Sequence, residues 1–462
     1  MNRSAAQIAA ERIVDRLRAA RYEAYFAGGC VRDLLLGLMP KDFDVATSAH
    51  PDAVLAMFPR TFAVGAHFGV VLVCQDAEGQ EIVTEVATFR SDGAYLDGRH
   101  PAEVRFSTNV REDVLRRDFT INGMMLDPVL QRETCNLTSA LLDYVGGQND
   151  LRDGVIRAIG EPRQRFEEDK LRMLRAVRFA ARLGYAIEPG TERAIRALAP
   201  GIAQVSRERV RDELTRMLTE GRARQAFELL DRTGLLRQVL PEIVRMHGVD
   251  QPPEYHPEGD VFVHTMLLLE KLPAGCSPTL AWGALLHDVG KPATFSHQPP
   301  DRIRFNGHVE VGVKIAHEIL RRLRFSNEDC AQILSLVENH MRFGDVEKMK
   351  ESTLKRFFRL PQFDEHLALH RLDVLSSHGD LSLWDFAKRK REEMPEQEVR
   401  PALLVTGRDL IAAGYEPGPQ FKDMLRMAED AQLEGQIRTR EEGLVLIAAS
   451  CAELRTPPPP HK

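Results

Sequence analysis

At 462 residues, with 43% apolar and 28% charged side chains, the chain exceeds one ordinary domain and has the make-up of a soluble globular protein of about two to four domains. No apolar run reaches the length of a membrane span, and Cys30, Cys74, Cys135, Cys276, Cys330 and Cys451 are scattered without a C-x-x-C pair, so neither a disulfide framework nor a zinc ribbon is indicated. The net charge of −6 argues against nonspecific coating of nucleic acid, and a reducing cytoplasm is the expected compartment.

Ser4 to Tyr22 interleaves Glu11, Arg12, Asp15, Arg16 and Arg18 with apolar residues and reads as an amphipathic helix, not a signal peptide. Ala27 to Thr47, AGGCVRDLLLGLMPKDFDVAT, reads as a strand, a glycine turn, a helix over Arg32 to Leu38 and a strand carrying Asp42 and Asp44. Gly28 and Gly29 let backbone N–H groups approach a phosphate at the helix start, and Arg32 adds a bidentate donor. Two apart in an extended segment, Asp42 and Asp44 share one face of the pleat and suit Mg²⁺, which takes hard oxygen ligands together with substrate phosphates. A lone D-x-D is more often a solvated strand end, but its place after GG-x-VRD-x-LLG reverses that balance. The combined string resembles the class II nucleotidyltransferases of the tRNA CCA-adding and bacterial poly(A) polymerase superfamily.

Short β-like runs follow at Ala63 to Val64, Val70 to Cys74 and Ile82 to Phe89, with turns at Asp76 to Gly79 and Ser91 to Gly98, so residues 1–145 form a mixed α/β head. Glu85, among apolar neighbours, is either an edge-strand surface residue or a third metal-site acid. Ser91 to Arg99, with two Asp-Gly pairs, reads as a mobile loop, and the resemblance implies that it helps the site switch between nucleotides. In VLRRDFTINGMMLDP, the residues Arg116, Arg117, Asp118 and Asn122 alone would suggest a helix start with flanking charges. The resemblance implies that RRD-x-x-x-N contacts triphosphate and ribose. Gly123 and Met124 depart from the commoner Ala-Leu or Ala-Ile, a difference expected to alter packing and not chemistry.

Asp143 to Asp153 reads as a glycine-containing turn that closes the head. Beyond it, Arg157, Arg163, Arg165, Lys170, Arg172, Arg175, Arg178 and Arg182 crowd one stretch, as a phosphate partner or a solvated helix face requires. Glu168 to Arg182 reads as one long amphipathic helix with Asp169 beside Arg172, Arg172 beside Arg175, and Arg178 elsewhere. Surface ion pairs are the ordinary fate of such spacing. The resemblance instead implies the motif E-D-x-x-R-x-x-R, which reads the incoming base. The chemistry is consistent: a carboxylate accepting from an amine beside a guanidinium donating to a ring nitrogen matches ATP and CTP alike and opposes UTP and GTP at both contacts. Discrimination on such hydrogen bonds reaches on the order of 10⁴.

Residues 146–205 are expected to form a neck for base recognition and 206–250 a helical body in which Arg207, Arg209, Arg211 and Arg216 continue the basic side for RNA. The Pro-rich break GVDQPPEYHPEGD opens a further domain over 251–385. There His264, His287 with Asp288 on AWGALLHDVGKP, His308, His340 and Asp373 recur on helical runs. Isolated histidines on helices are more often core or surface residues than ligands. Together these positions, with an adjacent His-Asp followed by Gly-Lys, resemble the HD-domain metal phosphohydrolases. Such a set suits a transition-metal pair, Ni²⁺, Co²⁺ or Mn²⁺, that Asp288 could bridge. Residues 386–462 read as a helical tail. Its run KRKREE is solvated or RNA-facing, Val405 to Glu441 resembles the C-terminal segment of HD-containing CCA-adding enzymes, and TPPPPHK is expected to be disordered.

The resemblance implies an α/β nucleotidyltransferase head followed by all-α neck, body, HD and tail domains. The implied activity is template-independent addition of CMP and AMP from CTP and ATP to the tRNA 3′ end, away from any membrane. Asp42 and Asp44 would hold Mg²⁺, Glu85 would complete the carboxylate set, and Gly29, Arg32, Arg116 and Arg117 would steady the triphosphate. The alternatives are a poly(A) polymerase, an enzyme adding only CC or only A, and an HD phosphohydrolase with an RNA-binding head.

Overall fold

The computed structural model describes residues 3–65, 69–92, 104–298 and 302–453. They fall into two units, Met1–Val244 with Pro273–Gly275, and Arg245–Leu272 with Cys276–Lys462. Among the described residues no helix is long and apolar enough to cross a membrane.

The first unit opens on the helix Ala5–Ala19, capped by the Ser4 hydroxyl, which accepts from the Gln7 N–H. Ala9, Ala10, Ile13, Val14 and Leu17 recur at helical spacing and are fully buried against one face of a sheet. Its strands, in chain order, are β1 (Ala24–Ala27), β2 (Asp44–Thr47), β3 (Thr61–Gly65), β4 (Val70–Ala77) and β5 (Gln80–Thr88). A separate ribbon pairs β6 (Arg90–Asp92) with β7 (Val104–Phe106), and β8 (Met125–Leu126) and β9 (Leu141–Leu142) complete the main sheet. The order is β3-β4-β5-β2-β1-β8-β9, antiparallel except where β2 runs parallel to β5. The β4–β5 turn is tighter than the expected Asp76 to Gly79. Glu78 and Gly79 alone turn the chain, both at positive φ, as a two-residue hairpin matching the strand twist requires.

Four expectations change here. The glycine-turn helix spans Gly29–Leu35, not Arg32 to Leu38, because Gly37 at φ +72 ends it and leaves Leu38 and Met39 exposed. β2 starts at Asp44, so Asp42 lies in the connection before the strand. The supposed turn after Asp143 continues into the helix Gly147–Asp153, and the Asp143 carboxylate accepts from the N–H groups of Val145, Gly147 and Gln148. The single long neck helix is two, Pro162–Glu168 and Leu171–Leu183. Asp169 breaks it at φ −141 and ψ 105, because its carboxylate accepts from the Leu171 N–H and restarts the chain as a new helix. Of the expected loop Ser91 to Arg99, Ser91 and Asp92 belong to β6, and the rest lies outside the described residues, as does TPPPPHK.

The second unit is helical. Pro278–Leu286 is buried on every side, since Leu280, Ala281, Trp282, Ala284, Leu285 and Leu286 leave it no polar face. Phe343, Phe357, Phe358 and Phe363 anchor one core cluster, and Val405, Leu410, Ala431 and Ile447 another. On the helix Ser382–Glu393, Lys388, Arg389 and Lys390 pair with Glu392 and Glu393 of the same helix, a solvated charge face.

Candidate functional site

Gly28 precedes its helix at φ +74, and a Cβ there would meet Arg117 Nη1 at 3.4 Å and Asp44 Oδ2 at 3.9 Å. Turn, cation and carboxylate thus share one wall of the first unit. Asp44 pairs with Ala27 of β1, and the parallel register Val45 to Val86 sets Glu85 beside Asp44 on the same face. Because β5 lies between β4 and β2, Glu85 is not an edge-strand residue. Asp44 is open to solvent as a residue, yet its carboxyl sits where desolvation and repulsion from Glu85 push the pKa up to about 6, against the pull of Arg117, with Asp42 adding to the rise. Asp42 and Glu85 are both exposed. Mutually repelling carboxylates of this kind fit Mg²⁺ by donor type. They are not gathered into a ligand sphere, however. Among the described residues, each set of three ligand atoms lying within 4.8 Å of one another falls in the second unit.

The arginines of this wall are held from behind. Asp113, 1% exposed, takes Arg116 on one oxygen at 2.6 and 2.8 Å and Arg117 on the other at 3.0 and 3.2 Å. Burial opposes its ionisation, but Arg117 and Arg116 hold it below the usual carboxylate range. Arg32 is buried with its Nε and Nη2 on Asp33 Oδ1 and its Nη1 donating to Asn122 Oδ1 at 2.8 Å. Asn122 in turn donates to Asp118, whose other oxygen takes Arg175 at 2.7 Å. Arg32, Arg175 and Arg178 all lie over the Phe179 ring, at 5.5, 5.2 and 4.4 Å from its centroid. The structure therefore joins five residues singled out in the sequence, Arg32, Asn122, Asp118, Arg175 and Arg178, into one network.

Asp169 lies in the turn between the neck helices and its carbonyl accepts from the N–H of Arg172, in the first turn of the second helix, but their side chains have separate partners. Asp169 takes Arg209 at 2.8 Å, and Arg172 donates to Glu168 at 2.7 Å and to the Arg116 carbonyl. Arg178 is buried on Glu213 at 2.7 Å and Glu220 at 3.3 Å.

In the second unit the expected cluster converges. His264 Nε2 lies 3.0 Å from Asp373, 3.3 Å from His287 Nε2 and 3.9 Å from Asp288. On the other side of Asp288, His308 and His340 bring Nε2 to 3.9 and 3.7 Å from Oδ1. His287, His308 and His340 each place Nδ1 on the backbone carbonyl three residues earlier, at 2.8, 2.9 and 2.7 Å, which turns Nε2 inward. The Nε2 atoms of His308 and His340 are buried without a hydrogen-bond partner, which leaves both free to act as nitrogen donors. Imidazole nitrogen and carboxylate oxygen together fit a transition metal. Burial pushes His340 down to about 4, so it stays neutral, whereas at His264 hydrogen bonds to Asp373 and Glu258 outweigh burial and push the pKa up to about 9, so a cation bound there must displace the Nε2 proton that faces Asp373. Asp288 is held well below the usual range despite its burial, by His287 and by Lys291 at 2.7 Å. A cavity of about 480 Å³ opens onto Asp288, His308, His340 and Asp373, with Tyr255 and Phe305 on its wall.

Sequence reasoning missed Asp113, Glu258 and Lys291. Asp113 was detectable, since it sits three and four residues before the two arginines, within helical reach. Lys291 stands three after Asp288 in the noted Gly-Lys, but nothing in PEYHPEGD marks Glu258 as buried.

Residues 24–157 match the Poly A polymerase head domain, 184–246 the probable RNA and SrmB-binding site of polymerase A, and 261–385 the HD domain. The CCA-adding enzyme of Leuconostoc mesenteroides subsp. mesenteroides is 41% identical over 452 residues, covering 96% of this chain and 96% of that one. That of Geobacillus stearothermophilus is 43% identical over 223 residues, 48% of this chain, and the match spans 52%, about half, of that relative's length. The crystal structure of Bacillus stearothermophilus CCA-adding enzyme in complex with CTP is similar with a TM-score of 0.69 at 26% identity, covering 98% of this chain and 100% of that one. Thermotoga maritima CCA-adding enzyme complexed with tRNA_CCA shares the fold, with a TM-score of 0.54 at 19% identity over 96% of this chain and 95% of that one.

Proposed function

The chain belongs to the family of CCA-adding enzymes, and on that premise we propose that it adds CMP and AMP, from CTP and ATP, to the 3′ end of tRNA without a template. The observation that carries this reading is the shared wall of Gly28, Arg117 and Asp44, with Glu85 beside Asp44 in register. Asp42, Asp44 and Glu85 are the residues that would hold Mg²⁺, which lowers the pKa of an attacking hydroxyl and neutralises phosphate charge. Gly28 and Gly29 let a triphosphate approach the backbone, Arg116 and Arg117 present their forks to it from the Asp113 anchor, and Arg32, Asp118 and Asn122 brace the same wall for triphosphate and ribose. Asp169 and Arg172, with Arg175 and Arg178 behind them, read the base. The neck is 146–205, an RNA-binding body 206–250 and a tail 386–462, and free cysteines at Cys30, Cys74, Cys135, Cys276 and Cys330 agree with a reducing cytoplasm.

A second activity, metal-dependent phosphohydrolysis in 251–385, is favoured by the orphaned Nε2 atoms of His308 and His340. Bound Ni²⁺, Co²⁺ or Mn²⁺ would supply an activated water there. One assay tests the main proposal: tRNA lacking CCA, tRNA ending in CC, and complete tRNA, each incubated with single nucleotides and Mg²⁺. CMP incorporation into the first and AMP into the second are expected, with no extension of the third. Addition of only C, only A, or a long A tract would replace the proposal by the corresponding specialised enzyme or a poly(A) polymerase.

A further inference from the structure

Glu258 lies in a stretch that reads in the sequence only as a break, yet its side chain is 7% exposed. One of its oxygens accepts from two imidazoles at once, His264 Nδ1 at 2.7 Å and His256 Nδ1 at 2.8 Å. An ionised carboxylate can only accept, so both rings carry their proton on Nδ1. At His264 this directs Nε2, the ligand nitrogen, toward His287 and Asp373. The other imidazoles of the cluster are anchored differently: His287, His308 and His340 rest on neutral backbone carbonyls. A charged acceptor raises the donor strength of the imidazole more than a carbonyl does. His256 borders the cavity and holds the same oxygen from the outer side.

Resting on the reading of this cluster as a metal centre, we propose that Glu258 is its positioning residue. It fixes the tautomer and direction of His264, while His256 braces the carboxylate from outside and is not a ligand.

The test titrates Co²⁺ into the full chain carrying Asp42→Asn and Asp44→Asn, so that the head carboxylates do not compete, and follows calorimetric affinity and the visible absorption of imidazole-bound Co²⁺. Asp288→Ala in that background should abolish the signal. Glu258→Ala should weaken affinity by about 10- to 100-fold and shift the absorption band. Glu258→Gln, whose amide oxygen still accepts from Nδ1–H and which keeps the packing, should weaken it less. His256→Ala, which removes only the outer brace of the carboxylate, should weaken affinity by less than Glu258→Ala does. The proposal is overturned if both Glu258 variants bind as the parent does, or if His256→Ala costs as much as Glu258→Ala, since His256, Glu258 and His264, whose ligand atoms lie within 4.8 Å of one another, would then themselves be the metal site. Absence of Co²⁺ uptake by the parent overturns the metal reading and the proposal together, and is distinguished by the parent titration alone.

Discussion

Arg175 reaches back across 57 positions to set its guanidinium on Asp118, Nε at 2.8 Å and Nη2 at 2.7 Å. That pair ties the neck helix Leu171–Leu183 to the RRDFTIN segment, and through Asn122 to Arg32 behind the glycine turn. Asp118→Ala would leave the Arg175 guanidinium with only the longer Glu213 contact at 3.9 Å and the Phe179 ring, so a loss of about 1–3 kcal/mol is expected in denaturant unfolding. Adding Arg175→Met should recover part of it. Additive losses in the double variant would show that the pair is not coupled.

The head carboxylates carry the second prediction. Asp42→Ala and Asp44→Ala should each lower nucleotide addition by about 10³-fold or more while leaving the melting temperature near that of the parent, because both residues are exposed. Asp44, with its pKa near 6, loses its charge as the pH falls below that value. The Mg²⁺ concentration needed for half-maximal addition should therefore rise by about tenfold per pH unit below pH 6 and be flat above it. Substantial activity in both variants, or a Mg²⁺ requirement independent of pH, would remove the metal assignment.

Base choice gives the third. If Asp169 accepts from the amine of the incoming base, Asp169→Ala should reduce ATP and CTP use and let UTP or GTP compete, narrowing a preference on the order of 10⁴. Asp169 also holds Arg209, so Arg209→Ala is the control: it should leave nucleotide preference intact. Unchanged preference in Asp169→Ala would reduce the turn to a structural joint.

The glycine turn and the central strands were legible because each depends on local pattern, alternating residues and Gly-Gly before a helix, whereas the gathering of the histidines and aspartates, as far apart in the chain as His264 and Asp373, was legible only through the resemblance to HD-domain phosphohydrolases. What the sequence concealed depends on partners distant in the chain or on competition within a turn. Periodicity runs unbroken from Glu168 to Arg182, but the Asp169 side chain outbids the helix for the Leu171 N–H. Nothing near Arg178 announces that it is buried on Glu213 and Glu220 and not turned to solvent. Glu258 sits in a proline-rich stretch whose composition predicts a surface loop, and only the fold buries it.

Acid should destabilise the second unit through His366. It is 1% exposed, and burial, reinforced by the Arg342 cation, pushes its pKa down to about 4. The unfolded chain then binds more protons than the folded one between about pH 6.5 and 4, so stability is full above that window and is lost as pH falls through it, by up to about 3 kcal/mol. His366→Gln should flatten this share of the pH dependence in unfolding measured from pH 7 to pH 4. An identical acid loss in parent and variant would assign it to other groups.

The last prediction separates the two proposed activities. His264, His287, Asp288, His308, His340 and Asp373 converge, and the Nε2 atoms of His308 and His340 both face Asp288 without a hydrogen-bond partner. Asp288 faces both halves of the cluster, Oδ2 toward His264 and His287 and Oδ1 toward His308 and His340, so its removal dismantles both. Asp288→Ala should abolish hydrolysis of 2′,3′-cyclic AMP or a generic phosphomonoester in Ni²⁺, Co²⁺ or Mn²⁺, each of which should outperform Mg²⁺ because imidazole prefers them. Addition of CMP and AMP should stay nearly unchanged, since the first unit has its own carboxylates. If the parent hydrolyses neither substrate above the Asp288→Ala background, the cluster is not a hydrolase centre, and the domain serves as a support for tRNA.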